Sequence, residues 1–256
     1  MSSIFHVLIP ARFAASRLPG KPLLDIGGRP LIQWVWECAR ASGAASVIVA
    51  TDDARIQKAA HGFGADVAMT AREHASGTDR IAEVVRTRGL QAHDIIVNLQ
   101  GDEPLMPEAL IDQTAALLAA HASADLTTLS VPLESVAALL DPNVVKVVTD
   151  AQKRALYFSR AAIPWSRDGA ASGHSSQSSY AGAQRHLGLY AYRVSALLRL
   201  AALRPGVLEQ IEKLEQLRAL EHGMDIRVAQ AAVPPGPDVN TAEDLAAVAA
   251  LLEAGR

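Results

Sequence analysis

Short, unbroken apolar runs alternate with helix-length amphipathic segments through the first half of this chain, and that alternation restricts the fold more than any other feature. The runs at 4–9, 47–49 and 95–97 are too short for buried helices and lack the polar alternation of a half-exposed strand. They read as strands covered on both faces. Strands are predicted over 4–9, 46–50, 66–69, 95–99 and 126–131. Helices are predicted over 31–41, 54–62, 78–88 and 108–121. Repeated strand–helix units imply an α/β fold with a doubly wound, mostly parallel sheet. Ligands of such sheets gather at the carboxyl ends of the strands.

The second half breaks this rhythm. Strands are expected at 144–149 and 155–158, joined by a turn at 150–153. A Ser-, Gly- and Ala-rich stretch, 169–184, reads as a mobile loop. A strand at 186–193, an amphipathic helix at 211–222, a strand at 226–231 and a closing helix at 241–253 complete the pattern. The expected organisation is a nucleotide-binding α/β core (1–133), a smaller inserted α+β lobe (134–222) and a return to the core (223–256).

Composition excludes several classes. The net charge of −3 gives no overall basic field for nucleic acid or an acidic membrane. Charged residues interrupt every apolar segment well before membrane-spanning length. Cys38 is the only cysteine, so no intramolecular disulfide can form, which suits a cytoplasmic location. The eight histidines lack zinc-site spacing, whereas a hard cation held by carboxylates stays open.

Chemistry concentrates in a few segments. After the first strand comes Ala11-Arg12-Phe13-Ala14-Ala15-Ser16-Arg17-Leu18-Pro19-Gly20-Lys21-Pro22, a loop with three cations and no acid. Alone, it fits a triphosphate site and a solvated surface loop about equally. Gln100-Gly101-Asp102-Glu103-Pro104 ends a strand, where Asp102 is placed to bind Mg²⁺ and Glu103 to point elsewhere or cap the turn. Ser76-Gly77-Thr78 opens a helix, either as an ordinary cap or as a site for part of a nucleotide. Near the end, Thr241 and Asp244 suit a capping pair, which leaves Asn240 as a second oxygen ligand to the metal. In the second half Arg160 suits a two-point carboxylate clamp, and His186 and Tyr190 suit sugar hydroxyls. Glu215 and Gln216 lie on an amphipathic helix, where solvated polar faces are the default.

Taken together, these segments resemble the 3-deoxy-manno-octulosonate (KDO) cytidylyltransferases. The resemblance covers nearly the whole chain. The block 18–23 is shared more loosely with many sugar nucleotidyltransferases, whereas 155–165 and 186–192 look specific to the KDO-activating branch. The resemblance implies the reaction CTP + KDO → CMP-KDO + pyrophosphate with Mg²⁺, serving lipopolysaccharide synthesis, in a homodimer whose second lobe lies at the interface. It implies that Ala11, Arg12 and Lys21 line the triphosphate with Arg17 nearby, that Ser76, Gly77 and Thr78 contact the nucleotide, and that Asp102 binds the metal. Gln100, Arg160, His186, Tyr190, Glu215 and Gln216 fall where the family contacts the sugar acid. One departure stands out: the family's terminal motif carries Asp as a metal ligand where this chain has Asn240. Activity with weaker metal binding is the expectation. Asp238, two residues away, is the nearest carboxylate that could compensate. The same chemistry on 8-amino-KDO or sialic acid, and a CTP-binding protein without turnover, are the alternatives.

Overall fold

The computed structural model describes residues 4–14, 18–170, 173 and 176–254. Its first half follows the predicted alternation. Strand β1 (Phe5–Ala11) is followed by a 3₁₀ turn at Lys21–Leu23 and a two-residue hairpin, β2 (Asp25–Ile26) and β3 (Arg29–Pro30). Then come α1 (Leu31–Ala41), β4 (Ser46–Thr51), α2 (Ala54–Gly62), β5 (Asp66–Met69), α3 (Gly77–Thr87), β6 (Ile95–Asn98), α4 (Glu108–Ala120) and β7 (Leu126–Pro132). The second half contains α5 (Val136–Leu140), β8 (Lys146–Thr149), β9 (Ala155–Ser159), β10 (Gln184–Arg193), α6 (Val194–Ala202), α7 (Val207–Glu212), α8 (Gln216–Glu221), β11 (Ile226–Gln230) and α9 (Ala242–Ala254).

One nine-stranded sheet organises these elements, in the order β11-β7-β10-β6-β1-β4-β5, with β8 pairing β10 and β9. Along that path β10 alone runs antiparallel to its neighbours β6 and β7. The sheet is therefore mostly parallel, with helices on both sides. Val7, Leu8 and Ile9 of β1 are fully buried, as an unbroken apolar run in a covered central strand requires. Each such side chain contributes about 1.5–3 kcal/mol on burial. Val7 and Ile9 pack on one face with Ile32, Val35 and Ala39 of α1, while Leu8 packs on the other with Ile81 and Val85 of α3. Alternating strand residues thus anchor a helix on each side.

The structure differs from the predicted pattern in several places, among them α5 and the β2–β3 hairpin, which the sequence reading did not place. The helix expected at 211–222 is two short helices, because Lys213 adopts φ 55° and turns the chain. Arg218 on α8 then pairs with Glu209 on α7 at 2.6 and 2.8 Å. Helix α6 was not anticipated: it follows Arg193 directly, with no glycine, proline or side-chain cap to mark its start. Strand β10, expected within the inserted lobe, lies between β6 and β7 and joins that lobe to the core in a single sheet. The described part of the expected 169–184 loop folds back on itself, Ser178 N donating to Gly169 O at 2.8 Å.

Candidate active site

The carboxyl ends of β1 and β6, the 3₁₀ turn at Lys21–Leu23 and the start of α3 surround a crevice of about 400 Å³, a size typical of small-molecule sites. Local sequence explains why these ends converge. Gly101 follows β6, and a Cβ there would sit 2.9 Å from the Pro10 carbonyl oxygen, so only glycine lets the two strand tips pass. Gly20 adopts φ 73° and donates its N–H to Phe13 O at 2.9 Å, which closes the N-terminal loop. Pro22 then fixes the 3₁₀ turn that presents Lys21.

Lys21 and Asp102, the two residues on which the sequence reading depends most, meet in this crevice. Lys21 Nζ donates to Asp102 Oδ2 at 2.7 Å and to Val239 O at 2.7 Å. Val239 N in turn donates to Asp102 O at 2.9 Å, which docks the C-terminal segment on the β6 tip. That contact brings Asn240 to the same wall. Thr241 Oγ1 accepts from Asp244 N, and Asp244 Oδ2 accepts from Asn240 N and Thr241 N. The expected capping pair is thus present, and it leaves the Asn240 side chain outside the cap. Asn240 Nδ2 donates to Asp238 Oδ2 at 2.6 Å, leaving Oδ1 without a partner among the described residues.

Of the residues predicted for the nucleotide, Ala11, Arg12, Lys21, Ser76 and Gly77 line the crevice, together with Gln100, Asp102 and Asn240. Arg12 is exposed and makes no ion pair among the described residues. Arg17 lies outside the described residues. Ser76 Oγ accepts from Asp79 N at 3.1 Å, so it caps α3 while also facing the crevice; the two readings of that segment coexist. Thr78 is buried behind the wall. The sequence reading missed Arg80 and His74, which also line the crevice. Arg80 is buried, and its Nη2 donates to Asp52 Oδ2 at 3.0 Å just beyond β4. The helical spacing that places Ile81 and Val84 toward the core was the one available signal for it.

The residues predicted for the sugar acid, Gln100 apart, form a second group beside the crevice rather than in its lining. Two contacts connect the groups. Tyr190 of β10 pairs in register with Asn98 of β6, two residues before Gln100. Burial pushes the Glu215 carboxyl above the usual range, against the nearby Thr78 and Ser76 hydroxyls, which favour its charged form. His186 lies 4.9 Å from Phe158 and 5.3 Å from Tyr190, ring centre to ring centre. Burial and then the Arg185 charge push its pKa down to about 3, so the ring is neutral. Its Nε2 is 3.0 Å from Thr128 Oγ1, whose single proton is within reach of the Leu187 and Leu189 carbonyls. That arrangement assigns the ring proton to Nε2 and leaves Nδ1 as an acceptor. Gln216 is buried, not solvated as a helix face would default to.

Arg160 does not present the free two-point clamp expected of it. Its Nε donates to Glu212 O at 2.7 Å and its Nη1 to Pro142 O at 2.8 Å. Three of the five guanidinium N–H groups remain for a ligand. Glu103 is absent from the crevice lining and points elsewhere, the first of the two expectations for it. Its Oε2 is enclosed without a hydrogen-bond partner among the described residues, and burial, then Asp102 and Asp238, push its carboxyl well above the usual range.

A divalent cation fits this donor set in one manner only. Among the described residues no group of three or more His, Cys, Asp or Glu side chains could hold a metal. The crevice offers one carboxylate, Asp102, and the unpartnered Asn240 Oδ1. Mg²⁺ is ordinarily held by one or two carboxylates with the remainder supplied by substrate phosphates and water, and the Lys21 ammonium at 2.7 Å shows that Asp102 accepts a cation.

Residues 6–226 match the family described as Cytidylyltransferase. The chain belongs to this family. The match takes in the second group of polar residues and every crevice residue except Asn240, which lies beyond it. The 3-deoxy-manno-octulosonate cytidylyltransferase of Pseudomonas fluorescens is 54% identical over 254 residues, covering 99% of this chain and 100% of that protein. The enzyme of the same description from Cellvibrio japonicus is 53% identical over 253 residues, covering 98% and 99% respectively. Among solved structures, CMP:2-keto-3-deoxy-manno-octonic acid synthetase complexed with CTP superposes with a TM-score of 0.89 at 40% identity, covering 99% of this chain and all of that one. 4-Diphosphocytidyl-2C-methyl-D-erythritol synthase, at 12% identity and a TM-score of 0.64, shares the fold. This cytidylyltransferase is thus a nucleotidyltransferase with a mixed, mostly parallel sheet. Among its described residues, no helix is long and apolar enough to cross a membrane.

Proposed function

We propose that this protein transfers the cytidylyl group of CTP to 3-deoxy-manno-octulosonate, releasing pyrophosphate and supplying CMP-KDO for lipopolysaccharide synthesis. The observation that carries this reading is the meeting of Lys21 and Asp102 across one crevice, 2.7 Å apart, in a chain more than half identical to enzymes of that description. In-line displacement asks the protein for alignment and charge compensation rather than covalent chemistry. Arg12 and Lys21 face the triphosphate, and Ser76 and Gly77 approach it from the α3 N-terminus. Lys21, held by Asp102 and Val239 O in the free protein, exchanges Asp102 for phosphate oxygens and stabilises charge developing on them. Asp102 and Asn240 Oδ1 would hold Mg²⁺, which supplies charge neutralisation and a lower pKa for the attacking hydroxyl when bound. Gln100, Arg160, His186, Tyr190, Glu215 and Gln216 orient the sugar acid, with Arg160 directed at its carboxylate and His186 Nδ1 accepting from a hydroxyl.

The 134–222 segment acts as the sugar-binding and dimerisation lobe. Exposed Leu156 on β9 and Val207 and Ile211 on α7 support a homodimer. The single free cysteine fits a cytoplasmic enzyme. The test is Mg²⁺-dependent pyrophosphate release, crossing CTP and UTP with KDO, its 8-amino analogue and sialic acid. Release is expected with CTP and KDO. CTP binding without release would reject the enzyme reading, and faster release with another sugar acid would reassign the substrate.

A further inference from the structure

Lys146 of β8 is a fully buried cation that no carboxylate neutralises by direct contact. Removing an ammonium from water costs several kcal/mol, and at a plain core position an apolar side chain would avoid that cost. Here all three of its N–H donors are used by backbone carbonyls: Asp141 O at 2.9 Å, Val144 O at 2.6 Å and Arg160 O at 2.7 Å. Two of those oxygens belong to the 141–144 loop and the third to the residue after β9. The Arg160 guanidinium grips the same loop from the other side, through Pro142 O at 2.8 Å. The next residue along the loop, Val145, accepts the backbone N–H of His186 at 2.8 Å. Lys146 therefore sits where the supports of Arg160 and His186 cross.

We propose that Lys146 is a positioning residue for the sugar acid, an internal ammonium that fixes the 141–145 loop and through it the reach of Arg160. The inference rests on the reading of Arg160 as a contact to the substrate carboxylate. The tripod of carbonyls is what gives Lys146 this role: an apolar replacement leaves three buried acceptors facing one another, and the loop that receives Arg160 Nη1 must shift. Displacement of an orienting group by an ångström is enough to cost roughly ten- to a hundredfold in productive binding.

Lys146→Met, Lys146→Arg, Arg160→Ala and the Lys146→Met/Arg160→Ala double variant are compared with the unmodified protein in steady-state pyrophosphate release, varying KDO and CTP separately, with thermal melts alongside. Lys146→Met is expected to raise the KM for KDO by roughly ten- to a hundredfold, with the KM for CTP within about twofold. Lys146→Arg, whose planar fork replaces the tripod, is expected to shift the same constant in the same direction. In the Arg160→Ala background Lys146→Met is expected to add little, because the two act through one contact. Equal changes in both KM values, full additivity in the double variant, or unfolding of both Lys146 variants would overturn the positioning role. If Arg160→Ala itself leaves the KM for KDO unchanged, the underlying assignment of Arg160 fails. If the unmodified protein releases no pyrophosphate with KDO, the proposed function fails before either.

Discussion

Replacing His186 with glutamine should flatten the acid limb of the protein's stability curve. In the native state burial holds the His186 pKa at about 3, against about 6.5 in an unfolded chain. Between those values the unfolded state binds a proton that the folded state refuses. Stability contributed by the neutral ring is therefore full above pH 6.5 and lost as pH falls toward 3. At pH 5 the span already crossed is about 1.5 units, worth about 2 kcal/mol at 1.36 kcal/mol per unit. Part of the residue remains accessible, so a loss of about 1–2 kcal/mol is expected. Urea unfolding of the unmodified protein and His186→Gln at pH 7.5 and pH 5 measures it. Glutamine can still donate to Thr128 Oγ1 but cannot titrate, so the unmodified protein should lose about 1–2 kcal/mol more than the variant on going to pH 5. Equal losses would show that His186 titrates normally, and would remove the argument for a neutral ring with a free Nδ1.

Other perturbations separate the remaining parts of the site. Lys21→Ala should cut turnover by about 100- to 1,000-fold, as loss of an oxyanion-stabilising donor does, with the KM for KDO little changed; unaltered turnover would remove Lys21 from the mechanism. Asn240→Asp adds a second charge to the metal wall, so half-maximal activity should need several-fold less Mg²⁺ in a titration, and an unchanged requirement would take Asn240 off the ligand set. Burial pushes the Cys38 thiol up to about 11 and its Sγ donates to Pro104 O at 3.2 Å, so a disulfide reagent at pH 8 should modify it only as the protein unfolds; fast labelling of the folded protein would contradict that burial.

The parts of this structure legible in the sequence are those fixed by local pattern. The bounds of α1 and α2 follow from apolar spacing alone, because each packs an apolar stripe against the sheet. The Lys21–Asp102 encounter was legible through topology: residues after β1 and β6 must meet if those strands are parallel neighbours. What could not be read depended on contacts distant in sequence. Strand β10 enters the centre of the sheet because β6 and β7 leave a gap there, and nothing in 184–193 states that destination. Arg160 looked like a free clamp because its partners, Glu212 O and Pro142 O, are backbone atoms that composition does not reveal. That Glu103 would be buried was not legible either: burial, with the charges of Asp102 and of Asp238 far along the chain, holds its carboxyl well above the usual range.

A crystal structure of the protein with CTP and Mg²⁺ would address the central claim most directly. The triphosphate should lie between Arg12 and Lys21 on one wall and Asp102 and Asn240 on the other, with Lys21 Nζ moved from Asp102 Oδ2 onto a phosphate oxygen. CTP bound elsewhere, or bound in the crevice with the 2.7 Å Lys21–Asp102 pair still intact, would contradict the account.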